Sequence, residues 1–210
     1  MGRLVRLADL KSRLNIPAND AASDAQLLAA IDAATALCEQ WCGRRFGYTG
    51  VDLLEQFDGE EVGRGPLLLS TFPVVRPAGH TLQLKERWQG VTYDTVTALV
   101  EDSDYVVREA RGVIWPWPDQ RCWEPGRQNI RVTYRGGYLG PDDAAVSGVI
   151  VVPAHVREAI EMQAAEHFKR RRNPGSQSET YPGNVSAVTF GVLRLLPAAE
   201  QMLKRERRTA

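Results

Sequence analysis

Leu7, Leu10 and Leu14 recur at the three-and-four spacing that places side chains on one face of a helix. Pro17 closes that segment, because the ring disfavours the helical conformation of the residue before it. Asn19 to Ser23 is turn-rich, and Ser23 with Gln26 fits a capping box that starts a second helix. Leu27, Ile31, Ala34, Cys38 and Trp41 then form one apolar stripe with Asp32 and Glu39 off it, and Gly43 supplies a stop. The spacing predicts a helix over 24–42.

The period changes after Val51. From there to Tyr138 the chain is rich in β-branched and aromatic residues interrupted by Gly and Pro. Candidate strands are Leu53–Asp58, Leu67–Ser70, Thr81–Lys85, Ala98–Glu101, Tyr105–Arg108, Val113–Trp115 and Ile130–Tyr134. In the last, Ile130, Val132 and Tyr134 share one face while Arg131 and Thr133 take the other. Pro116 and Pro118 lack a ladder donor, so Trp115-Pro-Trp-Pro118 is expected not to continue a central strand. Many short strands at regular spacing suggest a small barrel or sandwich.

The helical period returns after a loop from Gly140 to Val152. Pro153 suits a first helical turn, and Val156, Ile160, Ala164 and Phe168 form a stripe running to about Arg171. Asn173-Pro174-Gly175 ends it. The polar stretch 173–184 is expected to be an exposed mobile loop, Val185 to Leu196 an extended segment, and Ala198 to Arg207 a short last helix behind Pro197. The fold class expected is α+β: a helical bundle from the two ends, 1–50 plus 150–172, with an antiparallel β barrel or sandwich inserted over 51–140. Residues 173–210 are expected to form a mobile loop and a C-terminal arm with a short helix.

Composition narrows the function more than it changes the fold. The chain has 210 residues with 43% hydrophobic and 25% charged, ordinary for a globular protein. Lys+Arg and Asp+Glu both number 26, which argues against a protein that coats nucleic acid. That neutrality is a cancellation: ten basic residues face fifteen acidic over 52–152, and ten face six from 153 onward. The basic excess gathers in Lys169-Arg170-Arg171-Arg172 and in Lys204-Arg205 with Arg207-Arg208. Solvated helix ends account for such runs, and contact with phosphate or an acidic partner is the sharper reading. No apolar run reaches membrane-spanning length, and the first residues lack the apolar core of a signal peptide.

The search for chemistry returns little. His80, His155 and His167 have no partner at a metal-ligand spacing. Cys38 and Cys42 face one side of a helix, where core packing is the natural use of free cysteine, and Cys122 has no base near it in sequence. Phosphate-binding, nucleophile-elbow and zinc-protease motifs are absent. Glu101-Asp-Ser-Asp104 lacks the glycine and terminal glutamate of a calcium loop. Four of the five tryptophans, Trp88, Trp115, Trp117 and Trp123, lie in the acidic β region and suit core and interface packing rather than base stacking. No enzyme, cofactor or metal is expected.

Six phrases carry a resemblance. Leu7-Ala-Asp-Leu-Lys-Ser-Arg-Leu14, Asp24-Ala-Gln-Leu-Leu-Ala-Ala-Ile-Asp-Ala-Ala34 and Trp41-Cys-Gly-Arg-Arg-Phe46 follow one another as in the opening of tailed-phage head–tail connector (adaptor) proteins. Val132-Thr-Tyr-Arg-Gly-Gly-Tyr138, then Val152-Pro-Ala-His-Val-Arg-Glu-Ala-Ile160 and Glu166-His-Phe168, resemble that family's strand–loop–helix passage. Loop 140–152, with its apolar Val149-Ile-Val-Val152, is longer than the family's link.

The resemblance implies a non-enzymatic subunit of a ring beneath the portal. Twelve copies in the particle and a monomer when free are the implied states. The ring extends the DNA channel and docks the stopper or tail, at the virion neck after synthesis in the host cytoplasm. Its partners are portal protein, stopper or tail protein, further copies of itself and the DNA passing through; no membrane is implied. The family's C-terminal part engages the portal, which points here to Leu193, Arg194, Leu195, Leu196, Met202, Leu203 and Arg205. Arg170, Arg171 and Arg172 are the candidates to face DNA in the channel. The alternative is a nucleic-acid-associated or regulatory protein working through its basic C-terminal region.

Overall fold

A computed structural model describes residues 2–88, 91–118, 121–172 and 194–208, the last helical residue, Arg172, without its side chain. The chain divides into two compact units: Met1–Gly2 with Arg44–Val151, and Arg3–Gly43 with Val152–Ala210. The expectations for 173–193 lie outside the described residues.

The second unit is helical. Its elements are α1 (Leu7–Arg13) and α2 (Asp24–Cys42), followed late in the chain by α4 (Ala154–Arg172) and α5 (Pro197–Leu203). In α2 the stripe is buried at Leu27, Ala30, Ile31, Ala34, Cys38 and Cys42, with Trp41 only half-buried. Gly43 ends it in the left-handed conformation at φ +66°, which a side chain disfavours, and its N–H bonds Gln40 O at 3.3 Å. The capping box does not form. Ser23 has φ −100° and ψ −2° and no side-chain cap, so its carbonyl alone receives the N–H groups of Gln26 and Leu27. Lys11, itself buried, reaches Asp24 at 2.5 Å and so ties α1 to the start of α2.

α4 packs against α1, α2 and α5. Val156, Ala159, Ile160, Ala164 and Phe168 fill its buried face. Pro153 serves the first turn, its carbonyl accepting from Val156 and Arg157 at 3.1 Å. Arg13 of α1 pairs with Glu158 and reaches Glu161 at 3.8 Å. α5 buries Ala199 and Leu203, and the turn after it returns to α2 where Arg208 N–H meets Cys42 O at 2.9 Å.

The first unit holds the strands β1 (Leu53–Phe57), β2 (Leu67–Leu68), β3 (Val74–Val75), β4 (Gln83–Glu86), β5 (Tyr105–Arg108), β6 (Val113–Pro116) and β7 (Ile130–Gly136). A one-turn helix, α3 (Gly59–Val62), and a 3₁₀ turn over Glu109–Arg111 interrupt them. β7 is the spine of one antiparallel sheet, pairing with β1, β4 and, at its far end, β3. Its burial alternates as the sequence period demands, with Ile130, Val132 and Tyr134 inward. The second sheet has the order β2-β6-β5, also antiparallel. Leu67, Leu84, Ile114, Trp123, Ile130 and Val132 belong to the core of this unit.

Of the expected barrel or sandwich, the pairings among the described residues make two small antiparallel sheets and no closed barrel. Two strand expectations change. Ala98–Glu101 is not a strand; its one backbone bond to β4 is Leu99 N–H to Leu84 O at 2.8 Å, and Glu101 forms an isolated bridge with Tyr105. Pro116 does end a central strand. β2 pairs β6 only at Val113 and Ile114, so at Pro116 just one neighbour, Tyr105, is present. A missing donor costs little where one side of the strand is open. Loop 140–152 folds onto the unit: Val146 and Val149 pack on Tyr48, Val75 and Leu139, while Ile150 and Val151 stay exposed.

Candidate functional site

No described group of three His, Cys, Asp or Glu could hold a metal, and no described helix is long and apolar enough to cross a membrane. Cys38 and Cys42 are buried. Burial, reinforced by the neighbouring Cys42 and Glu39, pushes the Cys38 thiol up to about 12, which makes it a core group rather than a nucleophile. The polar groups that do cluster tie segments together. The Glu55 carboxylate accepts from Tyr134 Oη, from Ser70 Oγ at 2.6 Å and from Ser70 N–H at 3.0 Å, while Tyr134 Oη accepts from Thr71 N–H at 3.1 Å. Burial and the adjacent carboxylate raise the Tyr134 hydroxyl well above its ordinary value, so it is a fixed donor. Buried Glu86 pairs with Arg121 at 3.0 Å and accepts Glu124 N–H at 2.5 Å, and Arg121 goes on to Asp104 at 2.5 Å. These are joints of the strand unit, with no nucleophile and base brought together.

The interaction candidates lie in the helical unit. Gln163 of α4, only 1% exposed, holds the C-terminal segment: its Oε1 accepts Leu196 N–H at 2.9 Å and its Nε2 donates to Arg194 O at 3.4 Å. Leu195 and Leu203 are consequently core residues, at 6% and 0% exposure. Arg194 and Arg205 are exposed, Leu196 and Met202 half-buried, and Leu193 lies outside the described residues. A side chain as polar as Gln163 on a helix face gives no sequence sign of this role. Only the pairing with a segment some thirty residues later, at a separation of 33 for Leu196, reveals it.

The two basic clusters are separated. His155 Nε2 lies 2.9 Å from Glu206 Oε1, so the Lys204–Arg208 turn sits at the start of α4, whereas Lys169–Arg172 ends that helix. At 1.5 Å per residue, His155 and Arg170 are about 22 Å apart. Arg170 is held by Glu166 at 2.7 Å, Arg171 is exposed, and the Arg172 side chain lies outside the described residues. Arg207 stacks on Trp41, 5.1 Å from the ring centroid. Beside this contact, Leu37, Gln40, Trp41, Arg194, Leu195 and Glu200 line an apolar groove of about 380 Å³.

The described residues form a helical unit and a strand unit, and comparison with known proteins shows what this fold resembles. No protein-family model matches the chain, and no curated protein sequence does. A chain in the neck of an empty gene transfer agent (GTA) particle, computed with C6 symmetry, matches with a TM-score of 0.54 and 18% identity over 99% of this chain and 91% of that one. A chain of the virion of a native gene transfer agent particle matches with a TM-score of 0.57 and 18% identity over the same shares. A chain in the neck of a native particle, computed with C12 symmetry, gives 0.53 and 17% over 97% and 88%. At this identity the likeness is one of fold, and it runs the length of both chains. It agrees with the resemblance to head–tail connectors.

Proposed function

We propose that the chain is a structural subunit of the neck of a tailed phage or phage-like particle, an adaptor that forms a ring beneath the portal. It lengthens the DNA channel and offers a docking surface to the stopper or tail. The observation that carries this reading is the fold shared with chains from gene transfer agent particles over 99% of the sequence. A neck computed with C12 symmetry contains such a chain, which supports twelve copies here. Arg194, Leu196, Met202 and Arg205 are the accessible side chains for portal docking. Leu195 and Leu203 reach a portal only if the segment leaves Gln163. Arg170–Arg172 are proposed to face DNA.

Deleting the gene from the particle's own genome tests this. Filled heads without tails, restored by the gene in trans, are the expected outcome. Infectious tailed particles formed without the gene would end the reading. The nucleic-acid-associated alternative draws support from the basic residues alone, and their separation into two clusters weakens a single phosphate-binding face. Salt-dependent DNA binding by the isolated protein would favour it.

A further inference from the structure

The exposed large apolar side chains among the described residues, from Val51 to Val151, all fall in the strand unit. Two are tryptophans on one short stretch. Burial along Ile114-Trp-Pro-Trp117 alternates, so Ile114 and Pro116 turn inward while Trp115 and Trp117 point out, 42% and 41% exposed. Val106 stands opposite Trp115 in the ladder. Val100, 59% exposed, borders the same surface, since Asp104 accepts Val100 N–H on its carboxylate and Trp117 N–H on its carbonyl. Tryptophans left in water on a sheet face are the usual anchors of an interface.

The helical unit carries an apolar groove. This groove, between α2 and the start of α5, encloses about 380 Å³. Charge points to a pairing of the two. The strand unit holds fifteen acidic residues against twelve basic, the helical unit fourteen basic against eleven acidic. Locally, Asp102 is exposed on the turn beside Val100 and Arg194 is exposed on the groove's lip, and neither has an ion-pair partner among the described residues.

We propose that the Trp115–Trp117 face of one copy docks into the α2–α5 groove of the next copy, with Asp102 against Arg194 at the rim. The occupant is a second copy of this chain, so the proposal rests on the ring reading above and names its two lateral patches. A patch that fits a different site on an identical neighbour makes a heterologous contact, which builds a ring when the rotation closes and a filament when it does not.

The test uses the full chain co-expressed with the portal protein of the same genome, scored by negative-stain microscopy for rings seated on portals. Trp115→Ser with Trp117→Ser removes the anchors. Gln40→Trp, at an exposed position of α2, fills the groove from inside. Each is expected to cut ring yield by about tenfold or more, the size of a lost hot spot, with the circular dichroism spectrum unchanged. A Cys122→Ser chain carrying Trp117→Cys and Gln40→Cys is expected to give a disulfide ladder of multimers. Wild-type-like ring yield in both surface variants overturns the proposal and leaves the ring reading intact. Loss only in the tryptophan variant, without a ladder, overturns it too, and assigns that face to portal or tail. A disulfide confined to single chains would mean that the groove meets its own polypeptide and would overturn the proposal. Absence of rings from the unaltered chain defeats the ring reading itself.

Discussion

Replacing Leu203 by Ala tests whether residues 194–208 belong to the helical core. Leu203 has 0% exposure and sits on the buried side of α5, which packs on α4. Removing its branched end deletes buried methyl groups and leaves a cavity, a change that costs about 3 kcal/mol at fully packed sites. At this chain length each kcal/mol moves the melting temperature by roughly 2–4 °C, so a drop of roughly 6–12 °C is expected. The neighbouring Met202 is half-buried, and Met202→Ala is expected to cost about 1 kcal/mol or less. Urea unfolding followed by far-ultraviolet circular dichroism reads both. If Leu203→Ala stays within about 0.5 kcal/mol of the parent, the size of an ordinary surface change, the segment is not packed as described. The result also governs how truncations are interpreted. A chain ended after Arg172 loses Leu195, Ala199 and Leu203 from its core, so loss of portal binding by that chain would report damage to the bundle.

Three further outcomes are expected. A thiol reagent applied to the native protein should label Cys122, which is exposed, and spare Cys38 and Cys42 until urea unfolds the chain; rapid labelling of all three would contradict the burial. Tyr134→Phe should cost about 1–3 kcal/mol in urea unfolding, because Thr71 N–H and the Glu55 carboxylate lose a partner in a buried joint. Acid should weaken the helical unit through His167, whose half-buried ring is held below the ordinary 6.5 by burial and by Arg170. Above 6.5 the ring is neutral folded and unfolded; as pH falls below that value the unfolded chain takes the proton first, so stability declines. His167→Gln should flatten the melting-temperature profile between pH 7 and about pH 5, the range over which histidine titrates, and an unchanged slope would remove His167 as the cause.

Elements whose signal is local were legible in the sequence. α2 is found at both ends because its stripe and Gly43 lie within one segment, and Tyr105–Arg108 needs only its own composition. The capping box failed because its residues are right but Ser23 adopts helical dihedrals, leaving its hydroxyl no cap to make. β3 went unseen at two residues, Val74–Val75, since its existence depends on Gly136 and Arg135 far along the chain. Barrel against paired sheets is likewise a matter of which strands meet, and composition does not encode it. The tryptophans split in a way that sequence could not divide. Trp123 fills the core and donates to Gly65 O at 2.9 Å, while Trp115 and Trp117 stand outside. Of the residues proposed for portal docking, Arg194 and Arg205 are exposed, as their charge suggests. Leu195 and Leu203 were apolar for the bundle, and the residue that explains this, Gln163, sits in another helix.

The most direct test of the connector reading is negative-stain microscopy of this protein co-expressed and purified with the portal protein of the particle it is proposed to belong to. A second ring stacked on the narrow end of the portal is the predicted result. Well-formed portal rings standing alone, with this chain present and folded in the same preparation, would contradict it.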